Sequence, residues 1–187
     1  MRCSTRLACN DAKRTKIESS VLWILIFNTV FLSSVIWYVH RQSTTDNLTK
    51  LKNRRALYQK YSRGIPANKT VVYLDVNKFK HINDTYGHQV GDEVLKQISQ
   101  RILTHWRAHS FRLGGDEFVL IGMVTEAELQ TLLEPILAFD FLSESGEHFV
   151  QVNASLGFSM PRAINLPIDE VLHLADVEMY KNKQNQA

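Results

Sequence analysis

Residues 20–39, SVLWILIFNTVFLSSVIWYV, carry no charge and place apolar side chains on every face of a helix. The stretch Val21–Val39 spans roughly 28 Å as a helix, close to the hydrocarbon thickness of a bilayer. Trp23 lies near one end and Trp37 with Tyr38 near the other, where interfacial aromatics sit. The run is long for a signal-peptide core and no small-residue cleavage site follows it. A helix apolar all round is also rare inside a small domain. The pattern predicts one transmembrane helix, in which Asn28, Thr29, Ser33 and Ser34 are polar groups able to bond across a helix pair or to their own backbone.

A different pattern follows the polar linker His40–Thr45. Leu48, Leu51, Leu57, Tyr58 and Tyr61 share helical spacing, which predicts a helix from Asp46 that ends before Gly64 and Pro66. Val71–Val76 is a β-rich run, apolar on both faces apart from Asp75, and predicts a central strand. Val90, Val94, Leu95, Ile98, Ile102 and Trp106 mark a helix that starts near Gly91-Asp92. Ser110–Leu113, Gly114-Gly115 and Glu117–Ile121 read as a β-hairpin around a Gly-Gly turn. Thr125-Glu126-Ala127-Glu128 is a capping box opening a Leu-rich helix to about Leu137. Val150, Val152, Ala154, Leu156 and Phe158 alternate as a strand, and Pro167 suits the first turn of a last helix running to about Lys183. Interleaved helices and strands predict an α/β domain around one central sheet. The expected organisation is a basic tail (1–19), a membrane helix (20–39), a linker (40–45) and one globular domain (46–187).

Length and charge refine this picture. The chain has 187 residues, 44% of them hydrophobic and 22% charged, so low-complexity and disordered classes are excluded. Its net charge of +3 arises entirely ahead of the apolar run, where Arg2, Arg6, Lys13, Arg14 and Lys16 outweigh Asp11 and Glu18. The domain beyond is neutral overall, which argues against nucleic-acid binding. Five basic residues precede the span and five follow it closely (Arg41, Lys50, Lys52, Arg54, Arg55), so charge alone sets no orientation. The two cysteines, Cys3 and Cys9, fall ahead of the domain, which excludes a disulfide framework or a Cys-based zinc site within it.

Asp75 ends a buried strand, where a carboxylate is costly unless a cation or donors meet it. Asp116 and Glu117 follow the Gly-Gly turn, and adjacent strands would gather these acids near Asp75. Clustered carboxylates resist ionisation until a cation joins them, and Mg2+ suits two carboxylates while leaving positions for phosphate. Lys80 and Arg112 flank the acids as candidate phosphate ligands, and the glycine pair lets backbone approach a nucleotide. An ordinary hairpin with solvated acids fits these residues equally well.

The motifs extend further. Gly114-Gly115-Asp116-Glu117-Phe118 matches the name-giving motif of the GGDEF family, the diguanylate cyclases. Asp46–Arg55 (DNLTKLKNRR) resembles the family's opening signature, and Asp75–Asp92 (DVNKFKHINDTYGHQVGD) resembles its D-x-D-x-F-K-x-I-N-D-x-x-G-H-x-x-G-D stretch. Asn153–Gly157 is similar to its late strand, and Ala175-Asp176 with Tyr180 and Lys183 to its last helix. Five ordered blocks over residues 46–183 carry the likeness. It implies a fold like the polymerase palm and the nucleotidyl cyclases. The implied reaction condenses two GTP into cyclic di-GMP and two pyrophosphates on a homodimer with one GTP per subunit. By that resemblance Asp75, Asp116 and the carbonyl of Val76 hold Mg2+ (or Mn2+), with Glu117 facing the metal. Asp116 occupies the position assigned to activation of the 3′-hydroxyl. Asn83 and Asp92 read guanine, His88 belongs to the same nucleotide segment, and Lys80 and Lys183 meet phosphates. GTP is cytoplasmic, so the resemblance implies a single-pass inner-membrane protein with its domain in the cytoplasm.

Each residue also has a plainer reading. Asn83 and Asp84 suit a turn, His88 could bond its own loop, Asp92 suits a helix start, and Arg112 could pair with an acid to hold the hairpin. Departures from the family pattern are visible too. His105 and Ala108 stand where its inhibitory R-x-x-D is placed, Asn77 replaces the second Asp of D-x-D, and Leu113 replaces the usual Tyr. Lys50 replaces a common Gly, and the sequence stops at Ala187, where a phosphate-contacting Arg of the family often stands. An active cyclase without product feedback is the main expectation. The alternative is an inactive module that binds GTP or partners as a scaffold.

Overall fold

Two units make up the computed structural model, which describes residues 20–39, 44–160 and 164–185. The basic tail and most of the expected linker lie outside the described residues. In the first unit, helix α1 covers Ser20–Val39 and is long and apolar enough to cross a membrane. The hydroxyls of Thr29 and Ser34 donate to the carbonyls of Ile26 and Phe31 at 2.8 and 2.7 Å, so both are satisfied within the helix.

The second unit begins at Thr44. Its elements are β1 (Lys52–Asn53), α2 (Arg54–Lys60), β2 (Thr70–Val76), α3 (Phe79–Tyr86), α4 (His88–His105), β3 (His109–Gly114), β4 (Glu117–Gly122), α5 (Glu126–Leu137), β5 (Ala138–Leu142), β6 (Phe149–Ser159) and α6 (Ile168–Asn185). The sheet runs β1-β3-β4-β2-β6-β5. All neighbours are antiparallel except β1 and β3. Alternation along β2 explains its central place. Val72, Leu74 and Val76 enter one core with Ile98, Ile102, Phe118 and Leu133, under α3, α4 and α5. Val71 and Tyr73 enter a second core with Leu57, Val119, Ala175 and Met179, under α2 and α6.

The hairpin, the capped Leu-rich helix, the alternating strand and the final helix appear where the sequence places them. Thr125 and Glu128 close a reciprocal capping box, and α5 ends at Leu137. The helix expected from Asp46 is different. Only Arg54–Lys60 is helical, capped by the Asn53 side chain on the Ala56 N–H. Asp46 instead takes the N–H and hydroxyl of Thr49 at 2.9 and 2.7 Å, and Lys50 adopts a left-handed φ of 61°. The apparent periodicity joined two segments that pack apart, since Leu51 enters the first core and Leu57 the second. Three short elements, β1, α3 and the edge strand β5, are not predicted by the sequence pattern; α3 holds Phe79, Ile82 and Tyr86 at helical spacing, but over only eight residues.

Helix α6 meets the sheet through Gly157. A Cβ there would lie 2.0 Å from the Ala175 carbonyl oxygen and 2.1 Å from the Met179 nitrogen, both of them backbone atoms. Gly157→Ala is therefore expected to force α6 off β6 and to cost about 3 kcal/mol, the upper end for overpacking. Urea unfolding of the two chains measures this, and an unchanged midpoint would refute the close approach.

Candidate active site

The acids gather where β2 ends. In the antiparallel register Asp75 lies opposite Glu117 of β4 on one side and Ser155 of β6 on the other. The Val76 N–H donates to the Asp116 carbonyl at 3.3 Å, which ties the turn after Gly115 to the same strand end. Gly115 has φ +52°, a conformation that a residue with a Cβ resists, and the ladder shifts register between Arg112 and Gly114. The bulge and turn together bring Asp116 round to β2.

Burial and the charges of Asp75 and Glu117 push the Asp116 carboxyl above its ordinary range, against the pull of Lys183. Lys183 reaches in from the last turn of α6 and pairs with Asp75 Oδ1 at 2.5 Å. Its neighbour Asn182 donates to the Leu156 carbonyl at 3.1 Å and fixes the helix end on β6. Tyr73, buried on the same face as Asp75 and Glu117, was not singled out by sequence. Burial and a hydrogen bond to Glu117 raise its hydroxyl well above the usual range, so it remains a protonated donor to that carboxylate. Period-two alternation back from Asp75 is the signal that could have found it.

The residues expected to flank the acids divide. Arg112 is committed to the turn: Nε and Nη2 donate to the Gly115 carbonyl at 3.0 and 2.7 Å, and Nη1 pairs with Asp46 at 2.9 Å. Burial opposes the charge on Asp46, but the Thr49 donors and the Arg112 guanidinium outweigh it and hold that carboxyl below its ordinary range. Arg112 thus shapes the turn instead of presenting a free cation to phosphate. Lys80 lies exposed on α3, and His88 and Asp92 lie exposed in the first turns of α4. Asn83 and Asp84 sit inside α3 and form no turn. Asn83 faces α4 so closely that a Cβ on Gly91 would fall 1.9 Å from its Oδ1, which puts its carboxamide one residue from Asp92.

The segment between Asp75 and α3 is distinctive. Asn77 is clamped to β6, its N–H on the Asn153 carbonyl at 2.8 Å and its Oδ1 accepting from the Ser155 hydroxyl at 2.6 Å. Lys78 is left-handed, with φ 55°, and opens α3 without a side-chain cap. Such conformations cluster at ligand-holding sites.

Among the described residues no group of three His, Cys, Asp or Glu stands at metal-holding spacing. The donors at the end of β2 nonetheless fit Mg2+, which needs only one or two carboxylates beside nucleotide phosphates. They are all oxygen, and burial together with the charges of Asp75 and Glu117 opposes ionisation of Asp116 unless a cation joins it.

A family model described as "Diguanylate cyclase, GGDEF domain" matches residues 43–187. The chain belongs to the GGDEF family. It is 48% identical over 96 residues to the diguanylate cyclase DosC of Escherichia coli, a match covering 46% of this chain and 20% of the relative. It is 34% identical over 160 residues to the diguanylate cyclase DgcP of the same species, covering 78% and 46%. A bifunctional diguanylate cyclase/cyclic di-GMP phosphodiesterase, MucR of Pseudomonas aeruginosa, is 34% identical over 148 residues, covering 74% and 22%. The chain therefore spans about a fifth to a half of the length of these curated relatives. The GGDEF domain of DgcB from Caulobacter crescentus, solved in complex with c-di-GMP, superposes with a TM-score of 0.65 at 28% identity, covering 77% of this chain and 92% of that one. The mixed sheet wrapped by helices is the GGDEF fold expected from the sequence.

The crowded acids make a prediction about stability. A carboxyl whose folded-state pKa is raised destabilises the fold when it is ionised, and that penalty fades as pH falls through the raised value and is gone below the unfolded value. Asp116→Asn removes the charge and keeps the shape. The variant is expected to melt higher than the parent at pH 7 and to lose this advantage below about pH 4. Thermal melts across that range would contradict the electrostatic reading if the variant were less stable at neutral pH.

Proposed function

We propose that this chain is a membrane-anchored diguanylate cyclase that condenses two GTP into cyclic di-GMP with release of two pyrophosphates. The observation that carries the reading is the meeting of Asp75 and Asp116 at the end of β2. The apposition of Asn83 to the helix turn that bears Asp92 supports it. Relatives that bear the name diguanylate cyclase, and a solved GGDEF domain that holds c-di-GMP, support the same assignment.

In this reading Asn83 and Asp92 hold guanine. A carboxylate accepts from N1–H and the 2-amino group, and adenine offers no matching donors, so GTP is selected over ATP. Lys80 and Lys183 take phosphate oxygens, and His88 lines the same nucleotide segment. Asp75, Asp116 and the Val76 carbonyl hold Mg2+, which supplies positive charge to the reacting phosphate when bound. Asp116 accepts the proton of the attacking 3′-hydroxyl. Tyr73 fixes Glu117 beside this pair. Positioning and charge dominate phosphoryl transfer, so these rigid strand-end contacts are what such a reaction needs. Two domains, each carrying one GTP, face each other to close the ring. Purified full-length chain in micelles should convert GTP to cyclic di-GMP, and Asp116→Asn should slow turnover about a hundredfold or more. Unchanged synthesis by that variant would overturn the site.

Product feedback is absent in this reading, because His105 and Ala108 stand where an Arg and Asp grip would be. Progress curves should not stall as cyclic di-GMP accumulates, and a stall relieved by removing product would contradict this.

Helix α1 crosses the inner membrane once, with the domain in the cytoplasm where GTP is available, and two chains in one bilayer meet more often than free domains. A reporter fused after Ala187 should be active in its cytoplasmic form only. Activity of the external form would refute the topology.

A further inference from the structure

Glu93 is a carboxylate that the site described above does not use. It lies in the second turn of α4, one residue after Asp92, yet it is only 5% exposed while Asp92 is open to solvent. A carboxylate so buried is costly without donors. Its donors come from two places. The Glu144 N–H donates to Oε2 at 2.9 Å, and Gln89 Nε2, one turn back on α4, donates to Oε1 at 3.5 Å. Glu144 belongs to the turn that joins β5 to β6 at one edge of the sheet.

That turn is stiff. The Ser143 N–H donates to the His148 carbonyl at 2.9 Å, the His148 N–H returns a bond to the Ser143 hydroxyl at 3.1 Å, and Gly146 supplies a left-handed φ of 75°. The turn meets the helices a second time where the His148 ring lies against Tyr86, the last residue of α3, with centroids 5.4 Å apart. The two contacts straddle Gly87, where α3 gives way to α4. Helix α4 needs such a brace. Gly87 opens it without a side-chain cap, so its first turn lacks the usual restraint against fraying. Asn83 packs against the Gly91 side of the helix, and Glu93 ties down the face about 200° away.

We propose that Glu93 is a positioning residue for base recognition: through the β5–β6 turn it sets where Asp92 stands relative to Asn83. The inference rests on the guanine role given to Asn83 and Asp92 above. Glu93 itself touches no nucleotide. Loss of its tie frees the uncapped start of α4, and the Asp92 carboxylate then no longer meets N1–H and the 2-amino group together. Two aligned donors demand a fixed carboxylate, so the guanine-specific part of binding suffers and the phosphate contacts do not.

The test uses the full chain in micelles and compares GTP with ITP, which lacks the 2-amino group. Calorimetry gives Kd for each with EDTA present, so that nothing turns over, and steady-state rates with Mg2+ give KM and kcat. Glu93→Ala should reduce the preference for GTP over ITP at least about fivefold, through KM more than kcat, since a small misplacement of a binding group is costly. Glu93→Gln keeps an oxygen acceptor for the Glu144 N–H and should hold the preference within about twofold of the parent. In an Asp92→Asn background Glu93→Ala should change the preference less than about twofold, because the two residues act as one unit. Thermal melts show which variants fold. His148→Ala loosens the same turn at its contact with Tyr86 and should also lower the preference, which carries the test if Glu93→Ala does not fold. An unchanged preference in the folded variant, an equal loss on both nucleotides, or additive effects of the Asp92 and Glu93 substitutions would overturn the proposal and leave the guanine reading standing. A parent chain that binds GTP and ITP alike would sink the guanine reading and the proposal with it.

Discussion

The gathering of three carboxylates at one partly buried strand end constrains this end of the domain. Asp75 faces Glu117 across the β2–β4 ladder, and Asp116 is turned onto the same strand end by a bulge and a left-handed glycine. Burial, with the charges of Asp75 and Glu117 added to it, raises the Asp116 carboxyl. Folding tolerates the arrangement because the rest of β2 is buried on both faces, and that packing fixes where the strand ends. Rigidity is supplied by the core and spent at the rim, where the acids hold a geometry that they would not choose alone.

The neighbouring polar contacts are answers to that constraint. Lys183 neutralises Asp75, Tyr73 donates to Glu117, and Arg112 caps the Gly115 carbonyl while gripping Asp46. Each contact comes from a different element: the last helix, the central strand, and the hairpin with the segment that precedes α2. The site is therefore a property of the whole second unit, although its acids lie only on β2, on β4 and in the turn before β4.

Much of this was legible in the chain. The hydrophobic run, the central strand, the Gly-Gly hairpin and the capping box are local patterns with one physical solution each, and five ordered motifs identified the family. The segment Asp46–Tyr61 was misread because helical spacing records which residues are apolar and not which core they enter. Of the two readings open for Arg112, phosphate ligand or partner of an acid that holds the hairpin, the structure shows the second, but the acid is Asp46, 66 residues away, and only the fold brings the two together. Tyr73 was hidden for a similar reason. In an apolar strand a tyrosine reads as packing until its place diagonal to Glu117 across the ladder is known.

The anchoring of α6 bears on how quickly the site can change partners. The helix cannot slide along β6, because Gly157 seats it against backbone and Asn182 is fastened to the Leu156 carbonyl. Lys183 therefore leaves Asp75 only by rotating its own side chain. Rotamer exchange of a half-exposed lysine takes picoseconds to nanoseconds, whereas shifting a packed helix takes microseconds or longer. A change of partner at Asp75 is thus free of any slow helix rearrangement.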